Sequence, residues 1–189
     1  MILASQSPRR RELLGLITKD FEVIPARGEE LLPEGISPRD AVILLSQQKA
    51  EEVRCRKFPN LADTGNIPDT IIAADTVVAI DGEILGKPSG NDDAAKMLRR
   101  LSGRRHIVYT GVTIISAEKT VSFAEETAVE FYPLTDEEII SYVNSGEPMD
   151  KAGAYGIQGR GALLVKRIEG DYYNVMGLPV GRIYRELKP

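Results

Sequence analysis

The feature that most constrains this sequence is a ten-residue apolar run, Ile71–Ile80, which an aspartate, Asp75, interrupts at its middle. Such a run is long enough for a buried β-strand. Burying an unpaired carboxylate is costly, so Asp75 must be paired, bound to a metal ion, or placed where the strand faces a cleft. A structural aspartate that accepts backbone N–H bonds at a kink is the alternative. The run therefore predicts a buried strand with Asp75 as a candidate site residue.

The elements around this run predict an α/β fold. The Ser7-Pro8 and Ser37-Pro38 pairs are typical helix starts, and Asp81-Gly82 is a type I′ hairpin signal. Thr135 with Glu138 predicts a capping box. Further strands are predicted at residues 2–4, 21–24, 83–85, 107–115, 121–132 and 162–169, and helices after Ser7, from 37 to about 56, at 92–101, after Thr135, and at 179–187. Residues 58–70 are predicted to form a loop. Hairpins and strand–helix units together favour a mixed twisted sheet with flanking helices, in one domain spanning residues 1–189.

Composition excludes several classes of function. The formal charge is −4, which argues against binding to polymeric nucleic acid or to an anionic membrane. One cysteine, Cys55, and one histidine, His106, cannot build a disulfide or a Cys/His zinc cluster. No apolar stretch approaches the roughly 18 residues of a membrane helix, and the N-terminus lacks the order of a secretory signal. We therefore expect a cytoplasmic protein.

Three consecutive arginines, Arg9, Arg10 and Arg11, fall in the first turn of the first predicted helix. The N-terminal end of a helix already carries about half a positive elementary charge, so cations are unfavourable there unless an anion binds. Phosphate is well suited to that position, and Ser5 and Ser7 add hydroxyl donors. The alternative is that the arginines extend into solvent or pair with acidic residues. We expect a phosphate-binding site here.

Other candidates are weaker when taken alone. Glu29-Glu30 follows the second strand and is either a solvated acidic pair or a source of a second metal carboxylate. Lys49 shares a helix face with apolar residues, so its ammonium either snorkels to solvent or enters a site. Lys87 follows the hairpin, as an ordinary exposed lysine could. Gln158 carries both an amide donor and an acceptor, as recognition of a nucleobase edge requires, or it is a surface glutamine.

The glycine-rich segment 150–161 does not have the spacing of a dinucleotide-binding fingerprint or of a Walker loop. Its backbone could still approach a ligand closely. His106 is interpreted as a packed or surface histidine rather than a general base, and nothing indicates that Cys55 is reactive.

Five motifs in order resemble the Maf family of nucleoside triphosphate pyrophosphatases, nearly from end to end. They are SQSPRRRELL at 5–14, AADTVV at 73–78, GKP at 86–88, LSG at 101–103 and SGEPMDKAGAYGIQG at 145–159, followed by NVMGLP at 174–179. The resemblance implies two lobes around a central cleft, similar to the inosine triphosphatase architecture, and a homodimer. It also implies hydrolysis between the α and β phosphates with a divalent metal cation, Mg²⁺ or Mn²⁺.

Residue roles are carried over from the same resemblance. Asp75 is similar to the catalytic acid/base carboxylate, and the other active-site polar groups would be Glu30, Lys49, Lys87, Ser7 and Arg10, with Asp75 and Glu30 as metal ligands. Arg9, Thr76 and Gln158 match the specificity set of the branch acting on dTTP, UTP and some modified pyrimidine triphosphates, rather than the branch acting on 7-methyl-GTP. Residues 58–70 form a longer loop than is usual in the family.

Two other hypotheses share the anion site. One is a nucleotide-sensing regulator of septum formation with little catalysis, which would not need Asp75 and Glu30 beside the arginines. The other is a sugar-phosphate or phosphomonoester hydrolase, which would release orthophosphate rather than pyrophosphate. The enzyme hypothesis depends on Asp75 lying across a cleft from the arginine-bearing turn.

Overall fold

A mixed sheet forms the centre of the computed structural model, which describes residues 1–28, 30–61 and 67–188. Within these residues the sheet has seven strands: β1 (Ile2–Leu3), β2 (Glu22–Val23), β3 (Ile71–Ile80), β4 (Glu83–Leu85), β5 (Arg105–Ile115), β6 (Thr120–Phe131) and β7 (Val165–Glu169). The predicted strand across Asp75 is confirmed as the continuous β3, in which every residue except Thr76 is buried. The predicted mixed α/β class is confirmed.

The order of strands in the sheet leaves part of β3 open. The order is β2-β1-β3-β5-β6-β7, with β1 parallel to β2 and β3, and with antiparallel pairing from β3 to β7. Along the other edge of β3, β1 pairs at Ile71 and Ile72, and β4 pairs from Val78 onwards. Among the described residues, no strand pairs with residues 73–77 on that edge. The site lies against this opening.

Six α-helices, counted within the described residues, cover the sheet: α1 (Pro8–Leu14), α2 (Pro38–Lys57), α3 (Asn91–Leu101), α4 (Asp136–Val143), α5 (Tyr172–Met176) and α6 (Val180–Glu186). The predicted start signals are confirmed, since Ser7 and Ser37 accept N-cap bonds ahead of Pro8 and Pro38. Thr135 and Glu138 form the predicted capping box. Asp81 and Gly82 have positive φ angles of 55° and 79°, as a type I′ turn requires.

Close contact between α2 and β5 sets the position of the site. A Cβ added at Gly111 of β5 would lie 2.1 Å from the carbonyl oxygen of Val42 in α2. Only a glycine lets the helix backbone come so near the sheet. Gly111 pairs with Asp75 across the strands, so α2 passes beside the middle of β3. This approach brings Lys49, one helical turn beyond Leu45, over Asp75.

Two sequence predictions need correction, and one helix was missed. The strand predicted at 162–169 begins only at Val165, because residues Gly159–Leu163 form a 3₁₀ helix. The loop predicted at 58–70 contains a 3₁₀ helix at Pro59–Leu61, and residues 62–66 lie outside the described part. The short helix α5 was not predicted.

Among the described residues, no helix combines the length and apolar character needed to cross a bilayer.

Candidate active site

A cavity of about 630 Å³ lies between the open edge of β3, the start of α1, α2 and the segment from Glu147 to Gly159. Its walls include nine of the site residues predicted from the sequence: Ser7, Arg9, Arg10, Glu30, Lys49, Asp75, Thr76, Lys87 and Gln158. Ser5 and Arg11, which were also predicted at the phosphate site, are not among them. The arginine-bearing turn and Asp75 therefore face a common space. The carboxylates, the cations and the glutamine amide thus surround the volume that a single ligand would fill.

Lys49 joins the two carboxylates of the site. Its ammonium nitrogen bonds to Asp75 Oδ1 and lies 2.8 Å from Glu30 Oε1. The side chain of Asp75 is only 12% exposed, so this ion pair offsets the cost of its burial. Burial acts to raise the pKa of Glu30, but the hydrogen bond and charge of Lys49, with the charges of Lys87 and Arg10, lower it overall. Of the two sequence interpretations of Lys49, the structure supports the one in which it enters a site.

Asp75 and Glu30 are the residues that could hold a metal ion. The described residues contain no group of three His, Cys, Asp or Glu side chains arranged for a metal. Mg²⁺ needs no such group, since it is usually bound by one or two carboxylates together with waters and substrate phosphates. The two carboxylates converge on one cationic atom, the Lys49 nitrogen, and this donor set fits a hard divalent ion. Glu29, the other half of the predicted pair, lies outside the described residues.

The three arginines of α1 have three different surroundings. Arg9 lines the cavity and pairs weakly with Asp150, at 3.3 Å between Nη1 and Oδ2. Arg11 is exposed and is not part of the cavity wall, so the expectation of a three-arginine anion site is wrong for this residue. Its position, one residue past Arg10, turns it by about 100° around the helix axis.

Arg10 is held almost entirely by protein acceptors. Its Nη1 donates to the carbonyl of Ala74 at 2.8 Å and to Ser5 Oγ at 3.4 Å. Its Nε donates to the carbonyl of Gly177 at 2.8 Å, and Nη2 donates to Thr76 Oγ1 at 2.9 Å. Burial lowers the pKa of this guanidinium, and the negative charge of Asp75 opposes that effect. Bonds to described residues use four of the five N–H groups that a guanidinium carries, and none of these bonds uses the fifth.

Lys87 and Gln158 are the least engaged polar groups of the cavity. Neither side chain makes a hydrogen bond or an ion pair with another described residue. The loop that carries Lys87 is fixed through its neighbour Gly86, whose carbonyl accepts a bond from Gly153 at 3.0 Å. Both side chains are therefore free to contact a ligand.

The segment that carries Gln158 is a tight loop fixed at both ends. Tyr142 Oη accepts a bond from the backbone of Gly156 at 3.2 Å, and the carboxylate of Glu147 accepts from the backbone of Arg160 at 3.1 Å. A Cβ at Gly161 would lie 2.1 Å from the carbonyl of Gly156, so the loop closes on itself. This glycine requirement explains the glycine-rich sequence.

Comparison with known proteins identifies the family. The family model described as Maf-like protein matches residues 1–189. The chain belongs to the Maf-like family. A Maf relative from Bacillus cereus (strain G9842), named dTTP/UTP pyrophosphatase, is 51% identical over 188 residues, covering 100% of this chain and 94% of the relative. A relative of the same name from Carboxydothermus hydrogenoformans is 53% identical, covering 98% and 96%.

A solved structure, that of the Staphylococcus aureus Ham1 protein, is also similar to this chain. It is 18% identical, with a TM-score of 0.44, and the match covers 69% of this chain and 70% of that one.

Several side chains of the Maf site were missed by the sequence reasoning. Tyr142 and Glu147 hold the Gln158 loop, Asp150 pairs with Arg9, and Thr110 contacts Thr76. The SGEPMDKAGAYGIQG motif contains Glu147 and Asp150, so its polar residues could have been considered. Nothing in the local sequence distinguishes Thr110 from the other threonines of β5 and β6.

His106 and Cys55 lie outside the cavity wall. For His106 this agrees with its interpretation as a packed or surface histidine. His106 is buried, its Nε2 is 2.8 Å from the hydroxyl of Tyr155, and its ring meets Phe131 edge-on. Burial lowers the pKa of His106 to about 4. Cys55 is exposed at the C-terminal part of α2.

Proposed function

We propose that this protein is a nucleoside triphosphate pyrophosphatase that hydrolyses dTTP and UTP to the monophosphate and pyrophosphate. The observation that carries the proposal is the single cavity that joins the Asp75, Glu30 and Lys49 cluster to the free amide of Gln158. A charged end suits a polyphosphate, and an amide with both donor and acceptor suits a pyrimidine edge. The names of the Maf relatives, dTTP/UTP pyrophosphatase, support the same activity.

In the proposed reaction, Asp75 acts on the attacking water. The water oxygen forms a bond to the α phosphorus while the bond from that phosphorus to the bridging oxygen breaks, so pyrophosphate leaves. Asp75 either takes the water proton or orients the water. Lys49 donates to Asp75 and fixes the orientation of its carboxylate. Phosphoryl transfer depends chiefly on positioning and on neutralising charge, and both are available here.

We propose that Asp75 and Glu30 hold a divalent cation, Mg²⁺ or Mn²⁺. When bound, the ion would supply positive charge to the phosphates and lower the pKa of a bound water. Lys49 would continue to screen the two carboxylates from each other, because its nitrogen contacts both. Removing divalent ions with a chelator should abolish pyrophosphate release, and adding back Mg²⁺ or Mn²⁺ should restore it.

The remaining cations would bind the triphosphate tail. Lys87 makes no bond to another described residue, and Arg9 has only its weak pair with Asp150, so both can turn to the phosphates. Arg10 lies in the wall and contributes mainly its charge, since most of its N–H groups already donate to protein acceptors. Gln158 would pair with the imide edge of uracil or thymine, and a purine would be rejected by fit and by unpaired polar groups.

We also propose that the protein works as a homodimer in the cytoplasm. The resemblance to the family supports the dimer, and an exposed, unpaired Cys55 suits a reducing compartment. Light scattering at micromolar concentration should give twice the chain mass of 20.8 kDa.

Pyrophosphate release from a panel of UTP, dTTP, CTP, ATP and GTP with Mg²⁺ tests the proposed activity. We expect release from UTP and dTTP above the other nucleotides. Orthophosphate as the first product would instead indicate a phosphomonoester hydrolase. Binding of triphosphates without turnover would indicate a nucleotide sensor.

Asp75→Asn tests the proposed role of the carboxylate. Asparagine has no negative charge and cannot take a proton from water, so we expect pyrophosphate release to disappear. It keeps the volume of aspartate and an acceptor for Lys49, so the thermal transition should stay nearly unchanged. Asp69→Asn is a matched control, since Asp69 lies just before β3 and pairs with the N-terminal amine outside the cavity. Turnover by Asp75→Asn at the wild-type rate would contradict the assignment.

A further inference from the structure

A closed ring of hydrogen bonds connects Arg10 and Thr76, which lie in the cavity wall, to a residue that does not touch the cavity, Thr110. Thr110 lies on β5, is fully buried, and is 2.9 Å from Thr76 through the two hydroxyl oxygens. It also donates to the backbone carbonyl of Asn174 at 2.9 Å. The same carbonyl accepts from the backbone of Gly177, whose own carbonyl accepts from Arg10. Thr110 is therefore linked to Arg10 along both directions of the ring.

The direction of each bond in this ring is fixed by counting protons. A threonine hydroxyl has one proton, and that of Thr110 is used on Asn174. In the contact between the two threonines, Thr76 must therefore be the donor. Since Thr76 has given its only proton to Thr110, its oxygen is left as the acceptor for Arg10 Nη2. Thr76 has no proton to give to a nucleotide.

The bonds of Arg10 fall on both sides of Asp75. Arg10 holds the carbonyl of Ala74 just before Asp75 and the hydroxyl of Thr76 just after it. This is the stretch of β3 whose outer edge pairs with no described strand. The guanidinium thus gives the Ala74 carbonyl the donor that a neighbouring strand would otherwise supply, next to the carboxylate of Asp75.

The glycine that ends α5, Gly177, lies directly against the bond between Arg10 and Thr76. Gly177 has a φ of 105°, which favours glycine, and an added Cβ there would lie 3.4 Å from both Arg10 Nε and Thr76 Oγ1. The turn after α5 therefore closes directly over the bond between Arg10 and Thr76.

We propose that Thr110 is a positioning residue for catalysis: it fixes the Thr76 hydroxyl as an acceptor, so that Arg10 clamps β3 around Asp75. The inference rests on the proposed pyrophosphatase activity and assigns Thr76 an indirect role through Arg10. It predicts that loss of the Thr110 hydroxyl affects the chemical step more than substrate binding.

Steady-state kinetics with UTP test this role. We expect Thr110→Val to lower kcat about tenfold, equivalent to roughly 1.4 kcal/mol of barrier, with KM changed by less than about twofold. Thr110→Ser keeps the hydroxyl and should retain the wild-type kcat. The double variant Thr76→Val/Thr110→Val should be no slower than Thr76→Val alone, because both changes break the same path of hydrogen bonds to Arg10.

Thr113→Val is the matched control on the same strand. Thr113 is also buried, and its hydroxyl contacts Ser46 at 2.8 Å and Ser122 at 3.0 Å rather than the ring. We expect its kcat to stay near the wild-type value. The inference is overturned if Thr110→Val keeps kcat within twofold of wild type, if Thr113→Val loses as much, or if the two threonine losses multiply.

Thr76→Val removes the hydroxyl that accepts from Arg10, so it tests the same hydrogen-bonded path if Thr110→Val does not fold. It should lower kcat, whereas a raised KM with unchanged kcat would show direct contact with substrate and overturn the inference. Absence of pyrophosphate release by the wild-type protein would refute the proposed function instead. In that case the rotation rate of the Arg10 guanidinium, measured by NMR, tests the inference. Slow rotation in wild type and Thr110→Ser with fast rotation in Thr110→Val supports it. Equal rates in all three proteins refute it.

Discussion

Replacing Gly111 by alanine should destabilise the fold by driving α2 away from β5. The added Cβ would lie 2.1 Å from Val42 O and 2.7 Å from Ile43 N, and both atoms belong to the helix backbone. No side-chain rotation relieves such contacts, so the helix must withdraw by about 1 Å. Overpacking of this kind costs roughly 1–3 kcal/mol, and a backbone clash belongs at the upper end of that range. For a chain of this size, about 3 kcal/mol lowers Tm by roughly 6–12 °C.

The same displacement should reach the active site, because α2 carries Lys49. A shift of about 1 Å in a catalytic constellation can cost on the order of a hundredfold in rate. We expect Gly111→Ala to reduce pyrophosphate release from UTP at a temperature where the variant is still folded. Calorimetry or circular dichroism gives the transition, and a pyrophosphate assay gives the rate.

Gly181→Ala is the control for this prediction. Gly181 lies within α6, and an added Cβ there meets nothing within 4 Å. Alanine in a helix is favoured over glycine by roughly 0.5–1 kcal/mol, so this variant should melt slightly higher than wild type and keep its activity. A Gly111→Ala protein that melts at or above the wild-type temperature would refute the reasoning about α2.

Two further substitutions test the base end of the cavity and the buried histidine. Gln158→Glu removes the amide donor, so the UTP-to-GTP ratio of kcat/KM should fall by about tenfold or more, whereas Gln47→Glu, whose amide contacts Ser122, should leave the ratio unchanged. An unaltered ratio for Gln158→Glu would exclude Gln158 from selection. Burial lowers the pKa of folded His106 from 6.5 to about 4, so between these values the unfolded chain binds the proton and stability falls as pH falls. Urea unfolding at pH 7 and pH 4.5 should show wild type losing about 2 kcal/mol more than His106→Gln, and equal losses would contradict this explanation.

Elements with strong local signals were predicted well. The Ser7-Pro8 and Ser37-Pro38 caps, the Asp81-Gly82 turn and the Thr135 capping box all depend on residues within one turn of each other. The start of β7 was predicted wrongly because residues 162–164 are apolar and read as strand. Their conformation depends on Gly161 fitting against the carbonyl of Gly156, a contact that composition does not reveal.

The site was predicted by asking which charges a fold would tolerate poorly. That question led to Asp75 and the α1 arginines, and of these Asp75, Arg9 and Arg10 line one cavity whereas Arg11 does not. The sequence could not show which arginine binds protein acceptors and which faces the cavity. The acceptors of Arg10 lie 64 and 167 positions away, at Ala74 and Gly177. Charge in a first helical turn indicates that an acceptor is present, but it does not distinguish a phosphate oxygen from a protein carbonyl.

The short length of β1 connects the fold to the chemistry. Because β1 pairs with only two residues of β3 and the pairing with β4 starts only at Val78, the carbonyl of Ala74 lies on the open edge of β3 without a strand partner. A buried carbonyl without a donor is unfavourable, and so is a buried carboxylate at the next position. Arg10 donates to the Ala74 carbonyl, and Lys49 donates to the Asp75 carboxylate. The interruption of the sheet that opens the cavity is therefore also what requires two cations beside Asp75, so the acid, the arginine and the lysine form one structural unit.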